Sequence, residues 1–228
     1  MRSLAISISV VSALTCSAVA HALPVAGQGT WETTLQARDL NGDSVTDAYY
    51  DTSLNITWLA NANKNGAMTW TDAKSWAGSL EVFGFIGWRL PDTLPVGSTF
   101  GPADFAVGGT ASEMGHLFFL TLGNCGTDGG GPHPCVGQTI NGLSNTGPFI
   151  GMQPSPYWSG TAYAPIPGYG WFFNTFVGMQ DAISINVASF AMAVRPGDVT
   201  GVVPEPQTYA LLLTGLAVLA VVRRRRAT

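Results

Sequence analysis

Three groups of residues have the types and spacing to do chemistry. Glu113 and His116 stand at i and i+3, so on a helix they share a face, and with Asp128 or His133 nearby they could hold a metal. No HExxH or second facing pair completes that set, and a solvated helix face accounts for the two with fewer assumptions. Cys125 and Cys135 bracket a glycine-rich stretch that contains His133. A Cys–His nucleophile needs a fixed geometry that such a stretch does not supply, so the expected arrangement is a disulfide, contributing roughly 2–3 kcal/mol. Asp39, Asn41, Asp43 and Asp47 place oxygen side chains at alternate positions, as calcium loops do. Ser44 stands where an EF-hand has glycine, and Tyr50 where it has a bidentate acid. The segment therefore fits two readings, a weak extracellular calcium site or an Asx-rich hairpin turn on Asn41-Gly42. There is no G-x-S-x-G elbow, P-loop or cofactor fingerprint, and the chain reads as non-catalytic.

The aromatic residues suggest binding. Tyr157, Trp158, Tyr163, Tyr169, Trp171, Phe172 and Phe173 crowd a segment rich in Gly and Pro. A half-buried strand hides alternate side chains only, so some of these rings are candidates for stacking against the C–H face of a sugar. Tyr163 and Tyr169, on the Pro/Gly loop, are the first choices. Trp158 and Trp171 fit either a ligand surface or the core of a small sheet. Arg89 and Arg195 stand in a chain with few basic groups, and their expected work is to tie strand ends to carboxylates or carbonyls.

These residues need a scaffold. Residues 70–80 predict a helix: Thr69 caps it with Asp72 three places on, and Trp70, Ala73, Trp76, Ala77 and Leu80 form one apolar stripe. Residues 112–122 predict a second, capped by Thr110 or Ser112 and ended by Gly123-Asn124. Strands are expected around the polar loop within residues 31–58, at 157–161, at 171–177 and 182–187 flanking a turn at 178–181, and at 190–195. The fold class is α+β, two helices packed on a small antiparallel sheet with long loops.

The ends differ from the middle. Residues 1–22 have Arg2, an apolar core and Ala20-His21-Ala22, the layout of a cleaved signal peptide. Residues 23–199 then form one domain, with thirteen acidic residues against five basic ones, a net of −8 that excludes nucleic acid as a partner. Residues 209–222 are almost wholly apolar, and Arg223, Arg224, Arg225 and Arg226 follow. Fourteen residues cover only about 21 Å of a roughly 30 Å hydrocarbon core, but the arginines can snorkel and stay on the cytoplasmic side. The tail, residues 200–228, is thus expected to contain a transmembrane helix at about 208–222.

Val203-Pro204-Glu205-Pro206, the apolar run and the arginines occur in that order, and together they resemble a PEP-CTERM sorting signal. The resemblance implies recognition by an exosortase-type membrane protease, removal of the tail, and release or transfer to the envelope. A second resemblance covers most of residues 49–198. Tyr49-Tyr50-Asp51, Ile56-Thr57-Trp58-Leu59, Trp70-Thr71-Asp72-Ala73, Gly87-Trp88-Arg89-Leu90-Pro91, Tyr157-Trp158-Ser159 and Ala193-Val194-Arg195-Pro196 appear in sequence. This set resembles the Lcl C-terminal-like domain of collagen-like adhesins, which is similar to the C-type-lectin-like and formylglycine-generating-enzyme superfold. It implies a mixed fold with a loop-built binding face, and fold alone does not fix function. The expected function is that of a non-catalytic surface or matrix protein binding glycan, with exopolysaccharide as a candidate ligand; an envelope hydrolase and a purely structural matrix component are the alternatives. The stretch between Pro91 and Thr110 is longer and more glycine-rich than the family's compact form.

Overall fold

The computed structural model describes residues 29–93, 112–126, 142–199 and 214–215. The expected signal peptide at 1–22, the tail with its expected helix at about 208–222, Asp128, His133 and Cys135 lie outside the described residues, Thr214 and Gly215 of the tail excepted. Among the described residues no helix is long and apolar enough to cross a membrane.

Helices and antiparallel strands mix as an α+β fold, but the strands form two sheets rather than one. A short helix α1 (Trp31–Thr34) leads into β1 (Leu35–Arg38), β2 (Ala48–Asp51) and β3 (Ile56–Leu59). These pair in order, and β7 (Val194–Pro196) joins β3 to complete four strands. The second sheet is a meander of β4 (Pro156–Ala162), β5 (Tyr169–Asn174) and β6 (Met179–Ser184). Residues 189–194 form the seam between the sheets. Phe190 exchanges backbone bonds with Pro156 and Trp158 on β4, Ala193 accepts from Leu59 on β3, and Val194 exchanges a pair with Arg89. The expected strand at 190–195 is therefore extended, yet only its end pairs in a ladder, because its first residues serve the other sheet.

Helix α2 (Trp70–Ser79) matches its expected span to within one residue. Thr69 accepts the Asp72 N–H, the cap read from the sequence, and its hydroxyl donates to the Asp72 carboxylate. Its alanines, Ala73 and Ala77, are fully buried against Leu90, Trp158, Phe172 and Ala191. Small side chains there let the helix sit close to the second sheet. The second expected helix begins as α3 (Glu113–His116), capped by Ser112, and widens into a π-helix over Leu117–Thr121. Its carbonyls at Leu120 and Thr121 accept the Thr30 N–H, so tertiary contact supplies part of what a regular turn would. Gly29 permits this approach: a Cβ there would stand 2.2 Å from the Thr121 oxygen.

The β5–β6 turn falls earlier than the sequence pattern places it, at residues 175–178. Asn174 causes the shift, since its side chain accepts the Phe176 N–H and its carbonyl accepts the Gly178 N–H. A second tight turn links Val82 and Phe85, which exchange both backbone hydrogen bonds. Phe83 and Gly84 between them have φ of 49° and 85°, the type I′ geometry that favours Asn-Gly. Phenylalanine in the left-handed region costs about 1–2 kcal/mol.

Candidate ligand-binding site

The segment that follows α2 builds the site. Arg89 is hydrogen-bonded through its backbone to Val194, and Pro91 accepts from Gly160 on β4, so residues 89–93 are held between the two sheets. The Arg89 guanidinium then reaches Glu113 through two bonds of 2.7 Å, and Glu113 also accepts the Asp92 N–H at 2.7 Å. Arg195 donates to the Ile86 carbonyl at 2.7 Å. Both arginines thus tie strand segments to acceptors, as their scarcity in the sequence suggests. Glu113 is committed to Arg89. His116 lies partly buried beside Thr121, its pKa pushed down by burial against the opposing charge of Asp51. No group of three His, Cys, Asp or Glu gathers as a metal set among the described residues.

Beside this ion pair opens a cleft of about 330 Å³, lined by Lys74 and Gly78 from α2, by Trp88, Arg89, Leu90 and Asp92, and by Gly160 of β4. That volume lies within the range of ordinary small-ligand sites. Asp92 is its half-exposed carboxylate, 3.3 Å from Arg89. Burial pushes the Asp92 carboxyl up, Arg89 pulls it down and Glu113 pushes it up again, with a net rise. Lys74 places its ammonium 4.3 Å from the Trp70 ring centre, within reach of the cleft. Gly78 is a helix glycine whose added Cβ would meet nothing within 4 Å, so packing does not demand it; its effect is to leave the cleft open.

The sequence reading did not single out Lys74, Asp92 or Gly160. Each stands one residue beyond a motif it did mark: after Trp70-Thr71-Asp72-Ala73, after Gly87-Trp88-Arg89-Leu90-Pro91, and after Tyr157-Trp158-Ser159.

The aromatic candidates fall elsewhere. Trp158 and Trp171 are buried core, and the Trp158 indole donates to the Met68 carbonyl at 2.9 Å. Tyr163 is only 6% exposed and meets Trp171 edge-on at 4.9 Å. These three rings present no stacking face to a ligand, because a sheet of three strands needs all of them to fill its interior. Tyr169, at 37% exposed, remains at the surface.

The polar loop is folded on itself. The Asp39 carboxylate accepts N–H groups from Asn41, Gly42 and Ser44, Asp43 accepts from Val45, and Asp47 accepts from Leu40. Desolvation pushes the Asp39 pKa up, but the backbone N–H groups together outweigh it and hold the carboxyl below its usual range. Ser44 takes a φ of 68°, the conformation glycine would supply. Asn41 and Asp43 close the loop through a 2.9 Å side-chain bond. Cys125 is fully buried and disulfide-bonded.

Residues 202–226 match the PEP-CTERM protein-sorting motif. No curated protein matches the chain. The match covers Val203, Pro204, Glu205, Pro206 and the arginines at 223–226, which the sequence reading had placed in a sorting tail. This chain is therefore an exported protein carrying a PEP-CTERM sorting motif, processed by exosortase, a membrane protein, and destined for the cell surface or the extracellular space.

Proposed function

We propose that this exported protein is a non-catalytic, glycan-binding component of the cell surface or extracellular matrix, and that the Lys74/Asp92 cleft holds the sugar. The observation that carries the reading is convergence: three separate motif segments each bring a polar group or an open glycine to one cleft. Sugar hydroxyls donate to Asp92 and accept from Lys74, and the side-chain-free positions at Gly78 and Gly160 leave room for the ring between them. The resemblance to the Lcl C-terminal-like domain supports a lectin-like binder. Glu113 is immobilised by three hydrogen bonds, which leaves Asp92 as the available carboxylate among the described residues lining this cleft, where glycoside hydrolysis ordinarily uses two. Exopolysaccharide of the producing cells is the candidate ligand.

The test is binding of the exported protein to a panel of polysaccharides that includes material from the producing cells. Saturable binding is expected, and Asp92→Asn weakens it roughly tenfold or more, since a hydrogen bond to a charged group contributes about 1.5–3 kcal/mol. Protonation removes the same acceptor. Because the Asp92 pKa is raised, binding falls with decreasing pH through a window above the ordinary value of 3.8. A chelator leaves binding unchanged, because the carboxylates of the 39–47 loop already accept that loop's own N–H groups. Loss in chelator would instead make Asp39, Asn41, Asp43 and Asp47 a calcium site. Failure of the whole panel would leave a structural matrix role, and turnover of a glycan would make the chain an envelope hydrolase.

A further inference from the structure

A second groove, sharing no lining residue with the first, is bordered by Asp47, Asn61, Lys64, Phe83 and Ile150 over a floor of Leu59 and Ala60. Three observations distinguish it. Phe83 is 54% exposed although it occupies a left-handed turn position where asparagine fits without strain. A large ring kept exposed in that conformation serves nothing in the protein's own packing. The polar groups are poised outward: the Asn61 side-chain oxygen accepts the Asn63 N–H, which leaves its amide N–H groups for the groove, and Lys64 has no ion pair among the described residues. Asp47 accepts the Leu40 N–H through one oxygen and keeps the other. The groove therefore offers one anion, one cation, one amide and one flat ring.

We propose that this groove is a second glycan contact, stacking one neutral sugar ring on Phe83 and bonding its hydroxyls through Asp47, Asn61 and Lys64. The inference rests on the glycan reading and adds that each chain is bivalent, so that a surface-displayed copy cross-links polysaccharide strands. The volume, about 190 Å³, falls below the usual range for enclosed small ligands, so the groove takes a single ring of a longer chain. Opposite charges on its walls favour a neutral sugar over a uronate. Two contacts on one chain raise avidity for a polymer without either being tight.

Titration calorimetry with short oligosaccharides cut from neutral glucans and mannans, using the exported protein, tests the assignment by stoichiometry. The intact protein takes up two equivalents. Phe83→Asn takes up one, while its melting temperature holds or rises because asparagine suits the turn, so lost binding is not lost folding. Asp92→Asn also retains one, the Phe83 equivalent. A single equivalent in the intact protein, or two in Phe83→Asn, overturns the second contact and leaves the first cleft standing. No uptake by any of the three proteins overturns both.

Discussion

Replacing Trp158 with alanine is expected to cost about 3–5 kcal/mol, the range for deleting a buried aromatic side chain, and so to consume much of a typical domain's net stability. Trp158 has no exposed surface, and it packs with Ala73, Ala77, Leu90, Phe172 and Ala191 where α2 meets the second sheet. Its indole N–H also satisfies the Met68 carbonyl, which truncation would leave to find another donor. Trp158→Phe keeps most of the ring volume and loses that bond, for a smaller cost of about 1–2 kcal/mol. Denaturant unfolding of the two variants checks both figures. A Trp158→Ala variant that unfolds at the wild-type midpoint yet loses ligand would return this residue to the binding surface.

The second large effect lies at Arg89 and Glu113. Glu113→Ala strips the guanidinium of its bidentate partner and leaves the Asp92 N–H without its acceptor. Breaking a fully buried pair costs about 3–5 kcal/mol; here 31% and 19% of the two side chains remain exposed, so about 2–4 kcal/mol is expected. Glu113→Gln preserves the shape and two of the acceptor contacts, and recovers part of the loss. The double replacement Arg89→Met/Glu113→Met removes both charges together and lies closer to wild type than Glu113→Ala alone. Thermal melts of these variants form the check. Equal melting temperatures for Glu113→Ala and wild type would mean that the pair is a surface decoration.

Part of this architecture could be read in advance, and the reasons differ by element. Helix α2 was legible because its cap and its apolar stripe are local features, three and four residues apart. The span of the second helix was legible too, but not its widening at Leu117–Thr121, which depends on Thr30 arriving from far along the chain. The division into two sheets was hidden because the seam at 189–194 pairs with β3, β4 and Arg89 in turn, and pairing partners leave no periodic trace. For the site, Arg89 and Arg195 could be assigned structural work from scarcity alone. The aromatic segment was only partly legible, since a run of rings signals either a surface or a core: Trp158 and Trp171 fill the core, one of the two places read for them, whereas Tyr163, a first choice for ligand contact, packs edge-on against Trp171 inside. Phe83 could not be foreseen, because nothing in a sequence marks a phenylalanine that sits at positive φ.

The account stands or falls on the Lys74/Asp92 cleft. The most direct measurement is to titrate the isotopically labelled exported protein with polysaccharide fragments and follow the backbone amide resonances. The account predicts that Lys74, Gly78, Asp92 and Gly160 shift together along one saturation curve, and that Asp92→Asn suppresses the shifts. Saturable binding that leaves those four amides unmoved and perturbs the exposed edge at Tyr169 would contradict it.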